Sequence, residues 1–245
     1  MNRKNVNIEE YERLDLSNGL LVIGFPGLTL TGTITAEYLI RALNLREIGI
    51  IVGDIFPPAI TVSGGKITAP IRICVGECGR GYDKIVVMSS ITIIDDKYAY
   101  PMAKIISDWI KEKEISLSVL IVGAPGQGPD VLYIATTEYA KSVGEMVGLS
   151  SPSNAVIYGF PAALLLEASR RDVDLILLLV KAREKTPDAE AASDAVKVIS
   201  HILEMDINTE PLVEEIKALE ENLKNVEKMR RSETLGGGVS YKYYR

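Results

Sequence analysis

Four short, mainly apolar runs constrain the fold most strongly, and Ser118 is the one polar residue within them. Each run is four to six residues long, which is typical of a strand buried on both faces of a sheet. Helical patterns separate the runs, and parallel strands need such crossover connections. The sequence therefore predicts an α/β fold, a three-layer domain with a mainly parallel sheet flanked by helices. The four runs are residues 20–23, 85–88, 117–122 and 175–180.

Weaker patterns complete the predicted α/β domain, which we place at residues 1–206. Residues 2–18 are polar and predict an edge or lead-in segment. Thr186 followed by Pro187 predicts the start of the last helix of this domain, because both residue types suit a helix N-terminus. Further strands are predicted at residues 48–52, 71–75 and 155–158, and helices at residues 33–43, 97–113, within 133–147, 162–170 and from 187 to about 203.

A separate C-terminal helix is predicted for residues 207–231, beginning near Thr209. Its apolar residues are spaced four and three apart, which forms a short heptad seam. Such a seam can pack on its own domain or on a partner helix in an oligomer, and the pattern leaves both open. The seam residues are Leu212, Ile216, Leu219, Leu223 and Val226.

The last stretch, residues 232–245, predicts a flexible tail with a docking motif. Gly236, Gly237 and Gly238 cannot continue a helix, since each glycine costs roughly 1 kcal/mol against alanine. Disordered tails are usually poor in aromatic residues, yet tyrosines at 241, 243 and 244 follow the glycines. This pattern indicates a ligand for a pocket of another protein. The alternative is that the tyrosines fold back onto their own domain or form a frayed end.

Composition narrows the class of protein. A net charge of −6 argues against nucleic-acid binding, which rewards a basic surface. The first twelve residues contain no apolar signal region, and the apolar runs are too short to cross a bilayer. We therefore expect a cytoplasmic protein that binds neither membrane nor nucleic acid.

The two cysteines and the single histidine are predicted to be structural. Cys74 and Cys78 would lie roughly 13 Å apart along an extended strand, which is too far for a disulfide. A zinc site would need further Cys or His ligands, and His201 lies within a helical pattern. No metal site is predicted.

A search for catalytic motifs returns nothing specific. The carboxyl ends of strands form the usual ligand crevice of an open α/β sheet, and Asp54, Asp95 and Asp130 are the ionisable candidates there. Asp95 equally suits the start of the helix at 97–113. Residues 27–32 have the glycine spacing of a phosphate loop, but Thr33 replaces the lysine. We predict no catalytic residue and no cofactor; the alternative is a small-molecule-binding or phosphorylase-like enzyme that uses this crevice.

The order of several short motifs resembles the archaeal members of the proteasome assembly chaperone 2 family. The motifs are G-F-P-G at 24–27, A-E-Y-L-I at 36–40, I-G-I-I-V-G-D-I-F-P-P at 48–58, a helix with Trp109, G-A-P-G at 123–126 and Y-G-F-P-A at 158–162. The resemblance implies a nucleoside-phosphorylase-like α/β domain without enzymatic chemistry. It also implies a protein that assists assembly of the 20S proteasome or binds to it, as an assembly factor or ATP-independent activator.

The resemblance also implies a function for the C-terminal tail. Proteins that dock on the proteasome end in a hydrophobic residue, a tyrosine and any residue, and Tyr243, Tyr244 and Arg245 fit this order. The terminal carboxylate would pair with a lysine between adjacent α subunits, while Tyr244 fills the pocket and Tyr243 adds apolar contact. One such anchor is weak, so a homo-oligomer, a tetramer or other closed ring, is expected to present several.

Overall fold

The computed structural model describes residues 6–56, 60–63, 65–78, 81–183 and 187–216. Within these residues, eight strands form one sheet and two short strands form a separate hairpin. The strands are β1 (Val6–Glu10), β2 (Gly19–Gly24), β3 (Arg46–Gly53), β4 (Thr61–Ser63), β5 (Lys66–Thr68), β6 (Ile71–Glu77), β7 (Lys84–Ser90), β8 (Leu117–Ala124), β9 (Val131–Ala135) and β10 (Leu175–Lys181). The helices are α1 (Thr31–Ala42), α2 (Ala99–Glu112), α3 (Glu138–Met146), α4 (Gly159–Arg170) and α5 (Ala189–Ile202), with a 3₁₀ turn at Asp96–Tyr98 before α2.

The strand order across the sheet is β1-β3-β6-β7-β2-β8-β10-β9. The four central strands β7, β2, β8 and β10 pair in parallel, and they are the four apolar runs of the sequence. The flanking pairs β1–β3, β3–β6, β6–β7 and β9–β10 are antiparallel. Five of the eight strands therefore run in one direction, namely β2, β3, β7, β8 and β10. This arrangement confirms the predicted α/β fold.

Side chains alternate along the central strands, so that both faces of the sheet are buried. Leu20 and Val22 of β2 join the core on the side of α1, α3 and α5. Leu21 and Ile23 join the core on the side of α2 and α4. All four side chains are fully buried, and burying each stabilises the fold by about 1.5–3 kcal/mol. The predicted three layers are thereby confirmed.

Two element predictions need correction, and both concern the region around β9. Residues 155–158 were predicted as a strand but form none, because β9 already occupies the sheet edge beside β10. β9 itself was not predicted. It lies directly before the helix expected within residues 133–147, and that helix, α3, begins only at Glu138. Thr137 caps α3 by accepting the backbone N–H of Ala140 at 3.1 Å.

The two ends of the described chain also differ in detail from the sequence patterns. The polar segment 2–18 contains the edge strand β1, as the pattern indicated. α5 begins at Ala189, and its capping side chain is Asp188, which accepts the backbone N–H of Ala191 at 3.3 Å. The predicted cap, Thr186, lies outside the described residues. In the part of the chain that the structure covers, no helix combines the length and the apolar character needed to cross a membrane.

The described start of the C-terminal helix packs on its own domain. Residues 210–216 are helical, and Leu212 and Ile216 are buried in the core formed with α1 and α5. The Tyr38 hydroxyl donates to the backbone carbonyl of Asn208. Arg41 forms a solvent-exposed ion pair with Glu215 at 2.6 Å. For these first seam residues the structure selects the intramolecular alternative. Leu219, Leu223 and Val226 lie outside the described residues, and the boundaries at 206, 207, 231 and 232 stay predictions.

Replacing Leu212 by alanine tests this packing. We expect the free energy of unfolding to fall by about 2–5 kcal/mol, because the change removes methyl groups from a fully buried site. Urea denaturation followed by circular dichroism measures the loss. Glu214→Ala, at an exposed position of the same helical segment, is the matched control and should change stability by less than about 0.5 kcal/mol. Equal effects from both variants would contradict the packing.

The cysteines are free thiols in β6 and just beyond it. Burial raises the pKa of Cys74 to about 12 and that of Cys78 to about 11. Both folded-state values lie above those of the unfolded chain. The stability linked to the protonated thiols is therefore fully present below about pH 8.5 and is lost as the pH rises through the folded values.

We expect both thiols to react slowly with a colorimetric disulfide reagent at pH 7.5 in the native protein, because little thiolate is present. The same protein in concentrated urea should release two equivalents rapidly. Absorbance at the reagent's product band follows both reactions. Rapid reaction of two thiols in the native protein would show that the structure does not protect them.

Candidate functional site

The predicted docking residues Tyr243, Tyr244 and Arg245 lie outside the described residues, as does the rest of the predicted tail at 232–245. Their role and the tail's flexibility stay predictions. The structure does locate the last described residues of the chain, 208–216. Asn208 and Glu215 contact the second half of α1 through Tyr38 and Arg41. This half of α1 lies at the end of the sheet where the parallel strands begin.

The opposite end of the sheet is where the parallel strands finish. The loops there come together because β2, β3, β7, β8 and β10 all point towards this end. We call them the strand-end loops. They are the described residues within 25–30, 54–70, 91–95, 125–130, 151–158 and 182–188.

The three acidic candidates lie at this end but do not form one site. Asp54 is exposed in the turn after β3, and Asp130 precedes β9, six strands away. At about 4.8 Å per strand, this separation is roughly 30 Å. Asp95 caps the 3₁₀ turn, accepting the backbone N–H of Lys97 at 3.1 Å, and its carboxylate pairs with the Lys97 ammonium at 2.7 Å. The structure therefore confirms the prediction that Asp95 lies at the start of a helix.

A cleft of about 460 Å³ opens beside Asp130, which pairs with Lys181 at 3.2 Å. The buried carboxylate in its lining is Asp188, which accepts the backbone N–H of Arg183 at 2.8 Å and caps α5. Burial raises the pKa of Asp188, but hydrogen bonds from Arg183 and Ala191 outweigh burial and hold the pKa below its usual value. This carboxylate therefore has a structural role as a helix cap.

A larger cleft, of about 900 Å³, lies between β1 and α2, away from the strand-end loops. Its walls are held together by Glu10, whose carboxylate accepts the Trp109 indole N–H at 2.6 Å and the Lys113 ammonium at 2.6 Å. Both hydrogen bonds satisfy the carboxylate within the fold. Across the described residues, no three His, Cys, Asp or Glu side chains are placed to hold a metal ion.

A polar network beneath the strand-end loops includes a serine–carboxylate pair that sequence reasoning missed. The Ser89 hydroxyl donates to the Glu37 carboxylate at 2.6 Å, and Arg72 pairs with the same carboxylate. Ser89 is buried and its partner is bound by a guanidinium. The Thr33 hydroxyl donates to the carbonyl of Ser90 at 2.9 Å. These contacts attach α1 to β6 and β7, and no sequence signal places Glu37 beside Ser89, because 52 residues separate them.

Close contacts at two glycines pack the end of β2 against α1 and the loop after β2 against β8. A Cβ at Gly24 would lie 2.2 Å from the carbonyl oxygen of Gly32, and a Cβ at Gly123 would lie 2.1 Å from the hydroxyl oxygen of Thr29. Thr29 and Thr31 are buried, with their hydroxyl oxygens 3.0 Å apart. Of the two glycines whose spacing resembles a phosphate loop, Gly32 is closely packed, since a Cβ there would lie 2.8 Å from the carbonyl oxygen of Ile121, whereas a Cβ at Gly27 would meet no atom within 4 Å.

The strand-end loops expose a set of large apolar side chains. Leu28 is 74% exposed, Ile93 67%, Val156 74% and Tyr158 80%. Of the fourteen large apolar side chains exposed in the described residues, ten lie at this end. We call these ten residues the apolar patch. They are Leu28, Leu30, Ile60, Val62, Ile67, Ile91, Ile93, Tyr100, Val156 and Tyr158.

Sequence reasoning did not identify the apolar patch as a binding feature. The available signal is that three of its loops carry apolar residues without any charge, at residues 25–30, 91–94 and 154–158. Uncharged apolar loops directly after buried strands can pack inward or face solvent. Only the structure shows that these side chains face solvent.

Comparisons with known proteins place the chain in a family. The sequence model of the PAC2 family matches residues 21–227. Uncharacterized protein MJ0106 of Methanocaldococcus jannaschii is 26% identical over 222 residues, which cover 89% of each chain.

Solved structures share the fold. The crystal structure of Pyrococcus furiosus PbaA, described as an archaeal homolog of proteasome-assembly chaperone, superposes with a TM-score of 0.78 at 26% identity, covering 94% of this chain and 100% of PbaA. Pyrococcus furiosus PbaB, described as an archaeal proteasome activator, gives a TM-score of 0.75 at 22% identity, covering 92% of this chain and 100% of PbaB. The sequence match extends over most of the chain, and the fold agrees with it: this protein belongs to the PAC2 family.

Proposed function

We propose that this protein is a proteasome assembly chaperone homologue that binds the α-ring of the 20S proteasome through Tyr243, Tyr244 and Arg245. It would act as an assembly factor or as an ATP-independent activator. The observation that carries the proposal is the hydrophobic-Tyr-any ending, behind three glycines, on a chain of the PAC2 family. The printed descriptions of PbaA and PbaB, as chaperone homolog and proteasome activator, support it.

Docking would combine three contacts at the end of the chain. The carboxylate of Arg245 pairs with a lysine in a pocket between adjacent α subunits. Tyr244 fills that pocket, where a buried ring with a bonded hydroxyl is a common anchor, and Tyr243 adds apolar contact. The guanidinium of Arg245 is the departure from an ideal motif. It lies beside the carboxylate and either weakens the lysine pairing or faces an acidic rim.

The folded domain would supply a fixed attachment for this anchor. Leu212 and Ile216 are buried in the core, so the last described residues are fixed on the domain. Twenty-nine residues follow Ile216 in the sequence. The fourteen from Ser232 onward would span about 20 Å as a flexible chain, which is enough to reach a surface pocket without distorting the domain.

Self-assembly would strengthen docking. A single tripeptide anchor is weak, whereas several anchors on one particle bind with a high effective concentration. The proteasome α-ring is itself a ring of related subunits. We therefore include a homo-oligomer, a tetramer or other closed ring, in the proposed function.

We also propose that the domain has no catalytic activity. Support comes from Ser89, which is buried, and from its neighbouring carboxylate, Glu37, which is paired with Arg72. Further support is the wide separation of Asp54 and Asp130.

Assays with nucleosides, carboxylic esters and phosphate esters should accordingly detect no turnover above buffer. The purified protein at micromolar concentration, with product formation followed by chromatography, is a sufficient test. Turnover that disappears in Asp54→Ala or Asp95→Ala would overturn the proposal and favour the small-molecule or phosphorylase-like alternative.

The tail is tested with purified 20S proteasome and surface-immobilised variants. Tyr244→Ala, or a chain ending at Lys242, should abolish binding, because loss of an anchor worth roughly 2 kcal/mol weakens each contact about 30-fold. In an oligomer the losses multiply, so the effect should be nearly all-or-none. Thermal unfolding should not change.

Two further variants separate the side chains from the carboxylate. Adding one glycine after Arg245 keeps every side chain but moves the charge, and should weaken binding strongly. Tyr241→Ala removes a tyrosine of the same tail outside the motif, and should bind as the unaltered chain does. Unchanged affinity in both the truncated and the extended proteins would place the contact on the folded domain instead.

A further inference from the structure

The apolar patch is large for the surface of a single chain. Its ten large apolar side chains are 46–80% exposed. Summed over several loops, their exposed area is on the order of 1,000 Å², and apolar patches larger than a few hundred Å² often mark protein interaction sites. A stable interface of standard size buries roughly 800 Å² on each partner. The apolar patch is therefore large enough to form such an interface.

Most of the loops that carry the patch are uncharged, and the exposed charges that border it are Asp54 after β3 and Asp95, Asp96 and Lys97 before Tyr100. Residues 25–30, 91–94 and 154–158 contain no ionisable group except the hydroxyl of Tyr158, and in the β4–β5 hairpin only Lys66 is charged. The chain as a whole carries a net charge of −6. Copies of an acidic chain repel one another wherever their charged surfaces meet. An uncharged apolar surface avoids this repulsion when it faces a second copy of itself.

The backbone that carries the patch is held in place before any partner binds. The ring of Phe25 stacks on Phe160 with their centroids 5.2 Å apart, which joins the loop after β2 to the start of α4. The backbone N–H of Ile91 donates to the carbonyl of Pro70 at 3.0 Å. The Ser90 hydroxyl donates to the carbonyl of Thr92 at 2.8 Å. A surface that is already ordered loses little entropy on binding, and this favours a tight interface.

The described part of the heptad seam packs within its own domain. Leu212 and Ile216, the first residues of the heptad seam, are buried within their own domain. They are not available to a partner helix. The last described residues also lie at the end of the sheet opposite the patch. Contact through the patch would therefore leave the C-terminal segment of each copy accessible.

We propose that the apolar patch is the surface through which copies of this chain assemble. This inference rests on the homo-oligomer of the proposed function and assigns it an interface. Tyr158 and Leu28 are the proposed anchors, because they are among the most exposed members and tyrosine is enriched at interface hot spots. The partner is a second copy, and the contact buries apolar side chains of both.

Sedimentation velocity of the full-length chain at micromolar concentration tests the proposal. We expect the unaltered protein to sediment as a multiple of the monomer mass. The double variant Leu28→Glu, Ile93→Glu should sediment as a monomer, because placing charges in an apolar interface weakens association by at least about a hundredfold. Leu166→Glu is the matched control. It is an exposed leucine on α4 outside the patch, and its mass should equal that of the unaltered protein.

A second patch variant, which adds no charge, controls for misfolding of the first. Leu28→Ser with Val156→Ser removes apolar area at two positions that are each 74% exposed, without adding charge. It should raise the dissociation constant at least about tenfold while the far-ultraviolet circular dichroism spectrum of the folded protein stays unchanged. Full oligomer mass in both patch variants would overturn the proposal.

Combining the patch variants with the tail truncation distinguishes the interface between copies from docking on the proteasome. Oligomeric patch variants together with a non-binding tail truncation would refute the interface and leave docking intact. Monomeric patch variants together with a tail truncation that still binds would support the interface and refute docking. An unaltered chain that sediments as a monomer would refute the interface and the proposed homo-oligomer. If that monomer lost proteasome binding in the patch variants, the patch would instead contact the α-ring.

Discussion

The close backbone contact between the loop after β2 and the sheet is the constraint on which the rest of the domain depends. Gly24, Gly32 and Gly123 allow it, because a Cβ at any of the three would collide with neighbouring atoms. The contact fixes where α1 begins, and α1 in turn supports one face of the sheet and the start of the C-terminal helix. It also places Leu28 and Leu30 on the outside of the domain.

Several polar side chains near the strand ends are engaged in contacts within the fold. Glu37, Ser89 and Arg72 bind one another, and Asp188 and Asp95 cap helical turns. The solvent-exposed side chains at this end include ten large apolar residues beside the charges of Asp54, Asp95, Asp96 and Lys97. Such a surface suits contact with another protein better than turnover of a small polar substrate. The chain belongs to the PAC2 family and shares the fold of its solved relatives.

The central sheet could be predicted because its four strands are mainly apolar runs, a pattern that burial on both faces produces directly. The sequence could not show that residues 131–135, rather than 155–158, form the edge strand. Short apolar segments are compatible with a strand, a helix or a loop, and only the sheet topology shows that β9 occupies the edge. The candidate residues Asp54, Asp95 and Asp130 could be identified by type, but their separation depends on strand order. The exposure of Ile93 and Val156 likewise depends on how the loops fold.

The central claim is that this domain binds the 20S proteasome through its C-terminal residues while contacting its own copies through the apolar patch. Electron cryomicroscopy of the full-length protein bound to purified 20S proteasome tests both contacts in one measurement. We expect density for Tyr243, Tyr244 and Arg245 in pockets between adjacent α subunits, with Leu28 and Tyr158 buried between neighbouring copies. Domains seated on the α-ring through the apolar patch, with those pockets empty, would contradict the account.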